Sequence, residues 1–104
     1  MEKQDAFTQA LLRAIDAAEQ EAGVRQPRLR RAVEQYGGIS AVQELCRRGQ
    51  VSDGFDQLAE LGRLALSAEA LAVSAKFNAC FTDDEVNHCF AQLCAANYFG
   101  KARF

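Results

Sequence analysis

The sequence predicts an all-α protein, a single compact domain spanning residues 1–104, with five or six short helices around a central apolar helix at about Ser67–Ala75. Three observations predict it. Strong helix formers (Ala, Leu, Glu, Gln, Arg) dominate, with one proline and few β-branched residues. Glycines punctuate the chain after stretches of helical periodicity, at Gly23, Gly37-Gly38, Gly49, Gly62 and Gly100, where left-handed helix ends are wanted. Third, Ser67–Ala75 reads Ser-Ala-Glu-Ala-Leu-Ala-Val-Ser-Ala, with Glu69 the only polar residue between its serines. A helix apolar around nearly its whole circumference belongs inside a protein, and its small residues let neighbours approach closely.

Each element has its own signal. The first helix is expected over about Asp5–Ala22, with Phe7, Leu11, Ile15, Ala18 and Ala22 as one stripe at three- and four-residue spacing. Asp5 suits its positive end. The second starts at Pro27, whose missing N–H costs nothing in a first turn, and turns Leu29, Ala32, Val33 and Tyr36 inward. A third is expected to be capped by Ser40, with Gln43 at capping-box spacing and Val42, Leu45 and Cys46 as its apolar positions.

A fourth is expected to be capped by Ser52 or Asp53, with Phe55, Leu58, Ala59 and Leu61 facing the core. The central helix follows. The last helix has the clearest start: Thr82 and Glu85 form a capping box, and Phe81 stands in staple position to Val86. Its expected buried stripe is Val86, Cys89, Phe90 and Leu93. Residues 99–104 are expected to form a mobile tail.

Several function classes lack their signatures. No run approaches the roughly 18 apolar residues of a membrane span, and the start does not read as a signal peptide, so the expected location is cytoplasmic. In a reducing compartment Cys46, Cys80, Cys89 and Cys94 are expected to be free thiols packed as small core hydrophobes. Zinc ligands favour short, convergent spacings, and none occurs. On the last helix Cys89 and Cys94 point about 140° apart, and His88 diverges from both. His88 is expected on the solvated side. A catalytic cysteine needs a base and a group that orients it, and the chain's one histidine offers neither arrangement. Gly37-Gly38 has no Lys-Ser/Thr behind it to hold a phosphate. Asp83, Asp84 and Glu85 occupy a first helical turn, where the macrodipole favours acids anyway. The expectation is a non-catalytic protein with no cofactor and no metal.

Net charge is −2, unevenly placed: residues 1–49 carry 8 basic and 7 acidic side chains, residues 50–100 carry 2 and 7. The candidate binding residues lie in the first half. Arg25, Arg28, Arg30 and Arg31 cluster around the second helix, and Arg47 and Arg48 end the third. Two short helices joined by glycines faintly suggest a helix-turn-helix. Arg28, Arg30 and Arg31 also spread over the outside of their helix, the ordinary solvated face, and Arg47 and Arg48 sit where a helix C-terminus prefers cations.

From Gly37 onward the chain resembles a family of short bacterial proteins of unknown function. Gly37-Gly38, Ser52-Asp53-Gly54-Phe55, Leu58, Gly62-Arg63-Leu64, Leu66-Ser67, Glu69-Ala70-Leu71, Phe77, Phe81-Thr82, Glu85 and Tyr98 carry the resemblance. The preceding Gly23 and Pro27 are similar too. The chain differs at Ala65, where an acid is expected of that family, and at Val73-Ser74, where a proline is expected. The resemblance implies an α-helical domain and supplies no activity. It draws attention to Arg63 and Glu69, which flank the start of the central helix, where Arg63 is expected to pair with Glu69 or with nearby carbonyls of the fourth helix. The expected function is that of a bacterial cytoplasmic interaction or accessory module with an unidentified protein partner. The alternative is weak nucleic-acid binding by the six arginines.

Overall fold

Why the first helix anchors the rest is visible in its apolar stripe. Phe7, Leu11, Ile15 and Ala18 are all buried. In the computed structural model, which describes residues 2–96 and side chains from Ala6 onward, they lie on α1 (Glu2–Ala22). Five further helices follow: α2 (Pro27–Tyr36), α3 (Gly38–Arg48), α4 (Phe55–Glu60), α5 (Ala68–Val73) and α6 (Asp83–Ala95). Short 3₁₀ turns at Leu64–Leu66 and Asn78–Cys80 flank α5. The fold is all-α, one domain, with no strand among the described residues.

The expected centre is the observed one. Helix α5 is short, capped by the Ser67 hydroxyl, which accepts from the Ala70 N–H at 3.1 Å. It sits between two apolar clusters. Ala68 and Ala72 join Phe7, Leu11, Leu29, Val33, Val42, Phe77 and Cys89 in the first. Ala70 joins Ala18, Phe55, Leu58, Leu64 and Leu93 in the second. Alternating small residues on one helix therefore serve two cores, and both α1 and α6 also contribute to each. Phe7 meets Phe77 and Phe81 edge-on, each with ring centroids 5.2 Å apart. Such edge-to-face pairs add about 1 kcal/mol each beyond area burial.

The capping box of α6 is present, with Thr82 and Glu85 in both reciprocal bonds. Phe81 and Val86 lie in one cluster, the staple arrangement.

Two expected caps are corrected. Helix α3 begins at Gly38, two residues before Ser40, and its N-cap is Gly37. The Gly38 N–H donates to Thr8 Oγ1 at 2.8 Å, so the start of α3 is tied to α1. This close approach requires glycine: a Cβ on Gly38 would lie 2.9 Å from Phe7 Cδ2 and 3.0 Å from Thr8 Cα. Helix α4 starts after Gly54 (φ 83°), because Ser52 and Asp53 are engaged elsewhere.

Inward expectations also fail at helix ends and edges. Tyr36 is 63% exposed, Leu61 54% and Phe90 48%. Periodicity marks a face, and the end of a face can project past its neighbour. The cysteines divide as well: Cys89 is buried, Cys46 and Cys80 are half-buried, and Cys94 is exposed, so Cys94 is not a core residue. Asp5 as a side chain, Tyr98, Gly100 and the expected tail lie outside the described residues.

Candidate functional site

The site begins with a buried acid. Glu69, in the first turn of α5, is 2% exposed. Its carboxylate accepts from the Ser52 N–H at 2.7 Å and from the Ser52 hydroxyl at 2.9 Å. Burial pushes its pKa up, while the Ser52 bonds and the nearby His88 oppose the rise. Buried charge is tolerated only when it is well hydrogen-bonded, and Ser52 meets that need. The expected Arg63–Glu69 pair does not form. Arg63 instead bonds Glu21 on α1 at the surface.

The next residue works on another helix. Asp53 Oδ2 and Oδ1 accept from the N–H groups of Arg28 (2.9 Å) and Leu29 (3.1 Å), the first orphan donors of α2. Gln26 Nε2 donates to the Asp53 carbonyl at 2.7 Å. Gly54 closes the turn. Its φ of 83° favours glycine, and a Cβ there would lie 2.7 Å from Val24 Cγ1. His88 is half-buried rather than on a freely solvated side, and its Nε2 bonds the Gln50 carbonyl at 2.9 Å. The segment 50–54 is thus clasped to α2, α5 and α6 at once.

That clasped segment forms one wall of a groove of about 670 Å³. Helices α2 and α3 supply the other walls. Leu29, Ala32 and Tyr36 come from α2, Ala41 and Leu45 from α3, and Val51 from the wall. Each helix contributes one face at three- and four-residue spacing. Arg28 and Arg48 stand at the polar margin with Glu44 and Asp53. The two acids are already occupied, Asp53 at the start of α2 and Glu44 by arginines of its own helix.

The six arginines are therefore not equivalent. Arg25 pairs with Glu19 at 3.6 Å. Arg30 reaches Asp16 on α1, a contact that raises its guanidinium pKa. Arg47 and Arg48 both pair with Glu44 and pull its carboxyl below the usual range. Arg28 and Arg31 make no ion pair among the described residues. Arg28 and Arg48 line the groove, whereas Arg47 lines a separate cavity between α3 and the start of α6.

Sequence reasoning identified Arg28 and Arg48 but missed Tyr36 as an exposed wall residue. Its place in the last turn before Gly37 is the signal: a bulky aromatic at a helix end is easily left outside the core. Among the described residues no three His, Cys, Asp or Glu side chains are grouped to hold a metal, and no helix is long and apolar enough to cross a membrane. Comparison with protein families, curated proteins and solved structures finds no match to this chain.

Proposed function

We propose that the protein is a non-catalytic interaction module of a bacterial cytoplasm, and that the α2–α3 groove docks a short apolar segment of a protein partner flanked by acidic residues. The observation that carries this reading is the groove itself. An exposed aromatic, aliphatic walls and two arginines converge on one concave surface. Tyr and Arg are the side chains that most often anchor protein interfaces. The partner's acids would meet Arg28, which makes no ion pair among the described residues, and compete with Glu44 for Arg48, while its apolar side chain would cover Tyr36 and Leu45.

The alternative, weak nucleic-acid binding, has less support. Of the six arginines, Arg25, Arg30, Arg47 and Arg48 already face carboxylates, and Arg47 and Arg48 line different cavities. Phosphate recognition relies on several cations acting along one surface.

Incorporating a photo-crosslinking amino acid at Tyr36 in cells tests the reading. The expected result is a discrete protein adduct that disappears when Arg28→Glu and Arg48→Glu are added. Adducts that nuclease digests would favour the alternative. No adduct, or one indifferent to both arginine changes, would remove the groove as a docking site.

A further inference from the structure

A second chemical feature lies where α3 meets α6. Cys46 on α3 and Cys89 on α6 bring their sulfurs to 3.9 Å. They are 43 residues apart in sequence, so the fold creates this pair. No other two cysteine sulfurs come within hydrogen-bonding distance among the described residues. The two sulfurs differ in access. Cys89 is 1% exposed, while Cys46 is half-buried and lines a surface cavity of about 580 Å³ with Gln43, Arg47, Thr82 and Glu85.

We propose that Cys46 and Cys89 are a redox-reactive dithiol, in which a hydroperoxide entering the α3–α6 cavity oxidises Cys46 and Cys89 then resolves it to a disulfide joining the two helices.

The chemistry balances in two steps. The Cys46 sulfur attacks the terminal peroxide oxygen, the O–O bond breaks, and the alcohol or water leaves with the thiol proton, giving Cys46 sulfenic acid. The Cys89 sulfur then attacks the Cys46 sulfur, the S–O bond breaks, and water leaves with the Cys89 proton. Two thiols have lost two electrons to one peroxide. The oxidant is a hydroperoxide, and the other products are one water or alcohol from the O–O cleavage and one water from the resolving step.

Access assigns the roles, since the cavity reaches Cys46 while Cys89 is buried. The Cys46 thiol bonds the Glu85 carbonyl at 3.6 Å, and the Cys89 thiol can donate to the Cys46 sulfur. That donation lowers the Cys46 pKa against its burial and the nearby Glu85 and Glu69, whereas the same contact and burial push Cys89 upward. Cys46, the sulfur the cavity reaches, is placed to attack first. The polar groups of Arg47 and Thr82 border the cavity that leads to Cys46. Bond formation needs the sulfurs to close from 3.9 Å to about 2.05 Å.

The test treats the reduced protein with hydrogen peroxide and follows thiol loss and peptide mapping by mass spectrometry. The expected product is a monomer that has lost two thiols, with a Cys46–Cys89 cross-linked peptide that dithiothreitol releases. A Cys80→Ser, Cys94→Ser variant, which leaves the pair intact, should form it equally well. Cys89→Ala should instead accumulate Cys46 sulfenic acid that dimedone labels. Peroxide that oxidises Cys94 or Cys80 while Cys46 and Cys89 stay reduced would overturn the proposal. So would bonds formed only between molecules, or Cys46 left unlabelled by dimedone in a folded Cys89→Ala protein.

Discussion

The two faces of the segment 50–54 make an instructive contrast. Inward, Ser52 meets Glu69, a carboxylate with almost no water contact. Outward, Val51, Ser52 and Asp53 border a groove whose margin carries solvated arginines. Both faces hold ionisable side chains, but the consequences differ. A buried carboxyl group fixes its surroundings because every unmet hydrogen bond is costly. A charge at a surface margin adds little to stability and is available for recognition. The inner face therefore holds the shape, and the outer face uses it.

Substitutions should separate the two. Glu69→Ala is expected to have the largest effect. It leaves the Ser52 N–H and hydroxyl buried without an acceptor, and should cost about 3 kcal/mol in urea unfolding. Gly38→Ala comes next, at about 2 kcal/mol in the same assay, because Phe7 and the α1 backbone have little room to yield. Asp53→Ala removes the bonds to the first α2 N–H groups and should cost about 1 kcal/mol, only part of it restored by Asp53→Asn, whose amide offers one acceptor oxygen where the carboxylate uses two.

A pH effect follows from the raised Glu69 pKa. Between the ordinary carboxylate value and the raised one, the native state binds the proton and the unfolded state does not. The Glu69 contribution is then greatest below the ordinary value and is lost as pH rises through the raised value. Glu69→Gln has no such titration, so its stability relative to the parent should improve from weakly acidic to neutral pH. Urea midpoints across that range check the sign. The smallest stability change belongs to the groove margin: Arg28→Glu with Arg48→Glu should move the thermal midpoint by less than about 3 °C while abolishing the Tyr36 crosslink.

Much of the fold was legible because local and global signals agree. The stripe on α1, Pro27 at the start of α2, the Thr82–Glu85 box and the apolar run around Glu69 each specify an element without tertiary help. The misreadings share a cause. Ser40, Ser52 and Asp53 are all good cap residues, and sequence spacing assigns each to the helix that follows it. In the folded chain Gly38 takes its partner from Thr8, Ser52 turns to Glu69, and Asp53 caps a helix more than 20 residues upstream. Non-local competition decides such cases.

The groove was half legible. Arg28 and Arg48 stand out as charges, but nothing local separates them from Arg25, Arg30, Arg31 and Arg47. Their sorting depends on which carboxylates the packing brings near. The Cys46–Cys89 contact was likewise invisible, since it depends on how α3 meets α6.

Amide hydrogen exchange at Ser52 tests the division of labour most directly. Its N–H lies in the loop, outside any helix, and its only acceptor is Glu69. If the buried carboxylate clasps the loop, this amide should exchange only through openings close to global unfolding, as core helical amides do. Exchange at the rate of an unstructured amide would mean that the clasp is open in solution and that the groove has no fixed wall.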